Sequence, residues 1–476
     1  MPPPALVQVL GGNPVTAISV FACLNAADPR ALRRLHPAVM AAVAGVPWAD
    51  TETPVHDVVR WRAALPGATG VRVAPLKMSY RDMLPQFEAA LAGLTQLYFP
   101  VCWEMCSNWD DVLRRLPPSL RVLKLGRTHC LGEISDASLA HLTALETLDC
   151  NALQVAVGGH LPPTLQVLRM VHCNATTQRG GFQHLRALRS FMYIPAGVHL
   201  SDEVVRNLPP SLRALGMLDT SSLPPGTSLA HLTQLTECNV DNTGIDSATL
   251  ASLPATIVKL NVTSCYKLSH GASFAHLTAL RNLYASASGI GDASLASLPP
   301  SLTSLNVKFC GGFTPAAVFP PLPALQVLDV GYTAIGDAAV ASMSASLTDL
   351  RMTNCRHVTT AATLDHLPAL RELHSWSTNL SQAAIMACHA RGCATSVEVG
   401  ALPIPERALA LAPLADGRLA FMDASWGSRL HVWEAGPEGE PIVVATLVVL
   451  AWVHWRQCPT VAEWRSPGAT ALRCGT

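Results

Sequence analysis

Cysteine recurs along this chain at one point of a repeated phrase, and histidine at another. Cys173, Cys265, Cys310 and Cys355 each close a run such as "LPPSLTSLNVKFC" (298–310), and Cys130 does so after a two-residue insertion. Thr220 takes the slot in one further copy. Thiols at fixed spacing suit a metal ladder, a set of disulfides, a row of nucleophiles, or packing. If each copy supplies one strand, equivalent cysteines stand two strand spacings apart, about 10 Å. A disulfide requires Cα atoms within about 7 Å, and zinc holds its sulfurs at about 2.3 Å. Shared sulfur chemistry is therefore out of reach. The alternate copies place Thr243, Ser288, Thr333 and Thr378 near the same turn. Cys, Ser and Thr are compact and hydrogen-bond turn backbone, so packing at the strand exit is the expectation.

His141, His184, His231, His276 and His366 each precede the leucine that opens a strand phrase. The same spacing excludes a shared metal. An imidazole at a helix C-terminus meets free carbonyls and the negative end of the dipole, which is the role expected here. Cys102/Cys106 and Cys388/Cys393 are close pairs without a second pair at zinc-ribbon spacing. Sequons begin at Asn174, Asn261 and Asn379, but Asn261 falls within an expected strand. There is no P-loop, G-x-S-x-G or H-E-x-x-H. No catalytic residue, metal or cofactor is expected, and the chain reads as a non-enzyme.

What positions these residues is an internal repeat. One phrase reads "LPPSLRVLKL" from Leu116 and returns from Leu161, Leu208, Leu253, Leu298 and Met343, mostly at 45-residue intervals. A second, "LTALETLDC" from Leu142, returns from Leu185, Leu232, Leu277, Leu322 and Leu367. Earlier members begin at Leu94 and Leu65, and "ATSVEV" (394–399) fits a terminal one. In each, L-x-x-L-x-L/V turns the last two apolar residues to one face of a short strand, as Leu305 and Val307 do. Segments such as "IGDASLASL" follow, with Asp292 and Asp337 where an N-cap belongs. No single repeat buries its own core, but a stack does. The prediction is an α/β solenoid with a parallel sheet on its concave face and short helices on its convex face.

Residues 65–399 resemble the leucine-rich repeat superfamily in this phased L-x-x-L-x-L/V pattern. The cysteine after the strand is similar to the cysteine-containing subtype, frequent among substrate receptors of F-box ubiquitin ligases. The "LPPSL" opening is similar to the bacterial effector subtype, whose separate cysteine ligase domain has no counterpart in the residues after 399. Residues 15–48, within the stretch 1–64 read as an α-helical cap, resemble an F-box. Val20, Phe21 and Leu24 match its first helix, Asp28 and Pro29 the turn, and Leu32, Leu35 and Val39 the second helix. The resemblance implies that Val20, Phe21, Leu24, Pro29, Leu32 and Leu35 bind a Skp-type adaptor. The alternative is a cap that only shields the first repeat. In the tail, 400–476, "ADGRLA" and "GSRLHVWEAG" resemble one WD-repeat blade. Asp-Gly turns between β-rich runs support strands independently. One blade cannot close a propeller, so the tail is a fragment packed on the array, an oligomerisation element or a remnant.

Composition narrows the partner. Lys+Arg and Asp+Glu number 33 each, which gives nucleic acid and acidic membrane no electrostatic support. Hydrophobic residues make up 49% and mean hydropathy is +0.28, ample for a core. The run "PIVVATLVVLAWVHW" is short for a bilayer span and reads as a buried strand. The first residues lack a basic n-region and an apolar h-region. The expectation is a cytoplasmic or nuclear chain that is not secreted. A protein partner is expected on the concave face. Tyr98, Lys124, Arg169, Tyr284, Asn306, Lys308, Asp329, Arg351, His374 and Trp376 are the candidate contacts. Function then reads as substrate receptor of an SCF-type ligase, or as a free-standing interaction or inhibitory scaffold.

Overall fold

The computed structural model describes residues 48–74, 84–102, 109–128, 133–151, 154–156, 160–173, 182–195, 202–218 and 226–396, and the backbone of four strands within 408–448. Residues 20–35, which carry the F-box resemblance, lie outside the described residues, as do Cys130 and Thr220. The repeats form a parallel 16-stranded sheet in chain order, with one excursion. The chain divides into two compact bodies. The first is Met1–Leu268 with His276–Leu280, and the second is Ser269–Ala275 with Arg281–Thr476.

In the first body the strands are β1 (Trp48–Val55), β2 (Ala68–Val73), β3 (Gln96–Cys102), β4 (Val122–Thr128), β6 (Thr147–Asn151) and β8 (Val167–Cys173). β9 (Ser190–Pro195), β10 (Ala214–Met217), β11 (Glu237–Asn239) and β12 (Lys259–Asn261) follow. The excursion is a separate two-stranded sheet of β5 (Glu133–Ser135) and β7 (Gln154–Ala156). The parallel sheet thus reaches back to Trp48, before the first copy of the repeat phrase. Asp57 caps the helix α1 (Val58–Ala64) between β1 and β2, accepting from the Arg60 N–H at 2.8 Å.

In the second body the strands are β13 (Asn282–Tyr284), β14 (Ser304–Asn306), β15 (Val327–Asp329), β16 (Asp349–Arg351), β17 (Glu372–His374) and β18 (Ala394–Ser396). The last lies in the expected terminal repeat. Beyond it, β19 (Ala408–Pro413), β20 (Leu419–Asp423), β21 (Arg429–Ala435) and β22 (Pro441–Val448) form a four-stranded antiparallel sheet in sequential order.

The core follows the period-2 reading. Leu97, Leu123, Leu148, Leu168, Phe191, Leu215 and Cys238 stack in one layer of the first body, and Leu283, Leu305, Leu328, Leu350 and Leu373 in one layer of the second, all buried. Each buried leucine contributes about 2 kcal/mol by its removal from water. Each layer is continuous because every repeat supplies an apolar residue at the same height.

Among the described residues, helices lie in each of the first three repeats, between β1 and β2, β2 and β3, and β3 and β4, and from β9 onward in alternate repeats. α2 (Leu84–Leu91), α3 (Trp109–Arg114) and α4 (Asp202–Arg206) belong to the first body, with α5 (Ser247–Ala251). α6 (Asp292–Ala296), α7 (Asp337–Ala341) and α8 (Gln382–Ala390) belong to the second. The intervening segments resist helix: 311–321 carries Pro315, Pro320 and Pro321, and 357–363 is rich in Val and Thr.

Two expectations change in detail. Asp246 is an N-cap, accepting from the Thr249 N–H at 2.8 Å. Asp292 and Asp337 are not: Gly291 and Gly336 hold that position. Gly291 and Gly312 pair as a bridge so close that a Cβ on Gly291 would lie 2.4 Å from the Gly312 carbonyl oxygen. Each aspartate is displaced into the helix and accepts instead from the amide and hydroxyl of a threonine in the next repeat, Asp292 from Thr314 and Asp337 from Thr359. Three of the five repeated histidines likewise reach across repeats rather than capping their own. His141, His184 and His366 place Nε2 3.0, 3.1 and 3.0 Å from the carbonyls of Leu116, Leu161 and Val340. Val340 lies in the last turn of α7, and its carbonyl accepts from the Met343 N–H as well.

Candidate protein-binding face of the sheet

Period 2 leaves alternate strand positions on the open face, and strand pairing puts one from each repeat in a single row. In the first body Arg72, Tyr98, Lys124, Asp149, Arg169, Met192, Gly216, Asn239 and Asn261 are successive register partners. In the second body the row is Tyr284, Asn306, Asp329, Arg351, His374 and Ser396. Eight of the ten candidate contacts fall on these rows. Lys124, Arg169 and Arg351 are exposed and the other five are half-buried.

Lys308 and Trp376 do not. Each lies two residues past its strand, at the exit edge. There the Lys308 carbonyl accepts from the Ala287 N–H and the Trp376 carbonyl from the Asn354 N–H. Arg72 was missed as a contact. Its guanidinium lies 4.7 Å from the Tyr98 ring centroid, a cation–π pair that fixes the ring on the face. The signal was available, since "GVRV" places Arg72 at the height of Lys124.

Several row residues also serve the fold. The side-chain oxygens of Asn239, Asn261, Asn306 and Asp329 accept from the amide two residues on, at 3.0–3.3 Å. These Asx turns start the bend out of the strand and leave the rest of each side chain for a partner. Met192 covers Gly216, where a Cβ would come within 3.3 Å of it, and the Arg169 Nη2 lies 3.5 Å from its sulfur.

The most polar part of the face is in the second body. The Nε and Nη2 of Arg351 donate to the two carboxylate oxygens of Asp349 at 3.2 and 2.8 Å. That bond, more than burial, holds the guanidinium's pKa above its ordinary value. Asp349, Glu372 and His374 bring one donor atom each within 4.8 Å of one another. They are the one donor cluster of this kind among the described residues. Since Asp349 is already paired bidentately, a cation here would compete with Arg351.

The cysteine row is a packing device. Cys265, Cys310 and Cys355 are fully buried, and their thiols donate to the carbonyls of Val240, Ala285 and Val330 at 3.1, 3.0 and 3.1 Å. The same carbonyls accept from the hydroxyls of Thr243, Ser288 and Thr333 at 2.8, 2.6 and 2.6 Å. Sulfur and hydroxyl oxygen then stand 3.7–3.8 Å apart. Burial pushes all three thiols up, that of Cys355 to about 11. Such thiols carry almost no thiolate at neutral pH. The Cys173 side chain lies outside the described residues.

The sequence matches no family model and no curated protein. Solved structures do resemble the fold. Mouse RP105, solved with MD-1, aligns at TM-score 0.52 and 17% identity over 74% of this chain and 63% of its own. Toll of Drosophila, solved with Spätzle, aligns at 0.52 and 16% over 73% and 50%. A leucine-rich repeat protein of Leptospira interrogans aligns at 0.49 and 14% over 78% and 98%. With the phased repeat and the parallel sheet in chain order, the chain has the α/β leucine-rich-repeat solenoid fold.

Proposed function

We propose that this chain is a protein-recognition module whose contact surface is the open face of its sheet. The observation that supports this is the contrast between the two sides of each strand. Inward positions repeat the same apolar residue types, whereas the outward row runs through Arg, Tyr, Lys, Asp, Met, Asn and His. An invariant inside serves stacking, and a varied, mixed-charge outside serves one specific surface. The mixed signs favour a protein over a polyanion.

Affinity purification of the full chain, compared with the pair Tyr98→Ala/Lys124→Glu and the pair Asp329→Lys/Arg351→Glu, tests the reading. The expected result is one partner set recovered with the wild type and lost with either pair, at unchanged melting. Equal recovery with all three chains overturns it.

The finer reading is a substrate receptor of an SCF-type ubiquitin ligase. It rests on the F-box resemblance at Val20, Phe21, Leu24, Pro29, Leu32 and Leu35. Recovery of a Skp-type adaptor and a cullin, abolished by Leu32→Asp/Leu35→Asp, supports it. Recovery of a partner with neither leaves the free-standing scaffold.

A further inference from the structure

Three residues past the end of each of β13 to β17 the chain passes through one left-handed residue. These are Ala287 (φ 51°), Phe309 (62°), Tyr332 (58°), Asn354 (57°) and Ser377 (54°). The turns form a ladder of their own. The Ala287 N–H donates to the Lys308 carbonyl at 2.7 Å, Phe309 to Gly331 at 2.9 Å, Tyr332 to Thr353 at 2.7 Å and Asn354 to Trp376 at 2.6 Å. The left-handed region suits Gly and Asn, and a bulky side chain there is an outlier that calls for a reason. Three slots hold small residues. The two adjacent slots between them hold aromatics.

Those rings do no core work. Phe309 is 50% exposed and Tyr332 44%. They pack on one another with centroids 4.5 Å apart and planes at 30°. The Lys308 Nζ lies 5.0 and 5.3 Å from the two centroids. The surrounding edge has one sign of charge. The exit segments 285–291, 307–314, 330–336, 352–359 and 375–381 contain Lys308 and Arg356 and no Asp or Glu. Arg356 is exposed beside the slot next to Tyr332, its Nε donating to the Asn354 side chain at 2.9 Å. The neighbouring acids are engaged: Asp329 accepts from the Gly331 N–H, and Asp292 and Asp337 from Thr314 and Thr359.

We infer that Phe309, Tyr332, Lys308 and Arg356 form a second contact site at the strand-exit edge, for an acidic segment of a partner protein that also carries an apolar side chain. The carboxylates answer Lys308 and Arg356, and the apolar side chain lies on the ring pair. Cation and ring together give orientation as well as adhesion. Two cations on a chain of zero net charge are too few for nucleic acid, which needs many phosphate contacts. This site lies at the exit edge, next to the row on the sheet face, and does not depend on the function proposed for that row.

The test pans a library of random 12-residue peptides on the full chain, with counter-selection on the variant Phe309→Asn/Tyr332→Asn. Asparagine already fills this slot at 354, so the variant is expected to melt no lower than the wild type. The expected peptides are enriched in Asp or Glu beside a Leu, Phe or Trp. Each should bind the variant at least about tenfold more weakly. Lys308→Ala should weaken them similarly, and Lys308→Arg should restore most of the loss. Several outcomes overturn the inference: no enrichment over the variant, enriched peptides without excess acid, or equal binding by Lys308→Ala. So would tighter binding of a (dT)12 oligonucleotide than of any acidic peptide, or self-association lost in the variant.

Discussion

Truncation of Cys310 discriminates a packed thiol from a reactive one. Its sulfur is fully buried, donates to the Ala285 carbonyl at 3.0 Å and stands 3.7 Å from the Ser288 hydroxyl. Cys310→Ala removes a group somewhat larger than a methylene, worth about 1 kcal/mol of transfer free energy. The void adds about 0.5 kcal/mol, and the thiol hydrogen bond about as much again. No acceptor is stranded, because Ser288 still donates to the same carbonyl at 2.6 Å. The loss should be about 2 kcal/mol. Cys310→Ser forfeits the apolar part but keeps a better donor, so its loss should be about 1 kcal/mol. Repeat arrays depart from two-state unfolding, so the readout is native-state hydrogen exchange at the amides of Ala285 and Val307. About 2 kcal/mol corresponds to roughly 30-fold faster exchange in the alanine variant. The serine variant should fall between it and the wild type. Unchanged exchange in Cys310→Ala, or a serine variant looser than the alanine one, refutes the shared-carbonyl account. So does loss of partner binding with exchange unaltered.

Three further outcomes follow from the same geometry. Gly291→Ala should cost about 2–3 kcal/mol, because its Cβ would meet the Gly312 carbonyl oxygen at 2.4 Å and backbone cannot yield; Gly271→Ala, with nothing within 4 Å, should cost under about 0.5 kcal/mol, and equal urea midpoints would contradict this. Burial lowers the pKa of His231 against the Leu208 carbonyl, so the unfolded chain binds the extra proton first. Its share of stability is intact above the ordinary histidine value and falls as pH drops below about 6.5; His231→Gln should flatten the urea midpoint between about pH 7.5 and 5, and an unaltered slope refutes it. Cys355, with its thiol pushed up to about 11, should resist iodoacetamide at about pH 8 until urea unfolds its repeat; peptide mapping that finds it labelled in the native protein would overturn the assignment.

The repeat, the strand positions and the direction of each outward side chain were legible because period 2 acts within a few residues. Leu305 and Val307 leave Asn306 no choice of face. Interactions between copies were harder to read. That Asp292 would serve Thr314 instead of its own helix follows from the Gly291–Gly312 approach, a contact between residues 21 apart in sequence. His366 likewise reaches Val340 rather than the helix end of its own repeat. Arg72 was missed because the first repeats match the phrase weakly, although its register matches. The left-handed slots were invisible, since Phe309 and Tyr332 are residue types that sequence reasoning does not place at positive φ.

These cross-repeat contacts explain why the chain repeats at 45 residues although its strands recur at half that distance. Val240, Ala285 and Val330 each accept from a hydroxyl of their own repeat and a thiol of the next. Two thiols would overfill that turn, and two hydroxyls would leave the larger volume unfilled. From β9 onward the helices alternate in the same rhythm. A helix is wider than the strand spacing of about 4.8 Å, so an extended segment beside each short helix relieves crowding on that side of the sheet. Alternation lets α6 sit beside the proline-bearing 311–321 and α7 beside 356–366, each tied down by an aspartate–threonine pair. The folding module is thus the pair of repeats. Within it the inward residues, the shared carbonyl and the ties between neighbours are all constrained, which leaves variation to the outward strand row and the left-handed slot, and both candidate contact sites lie there.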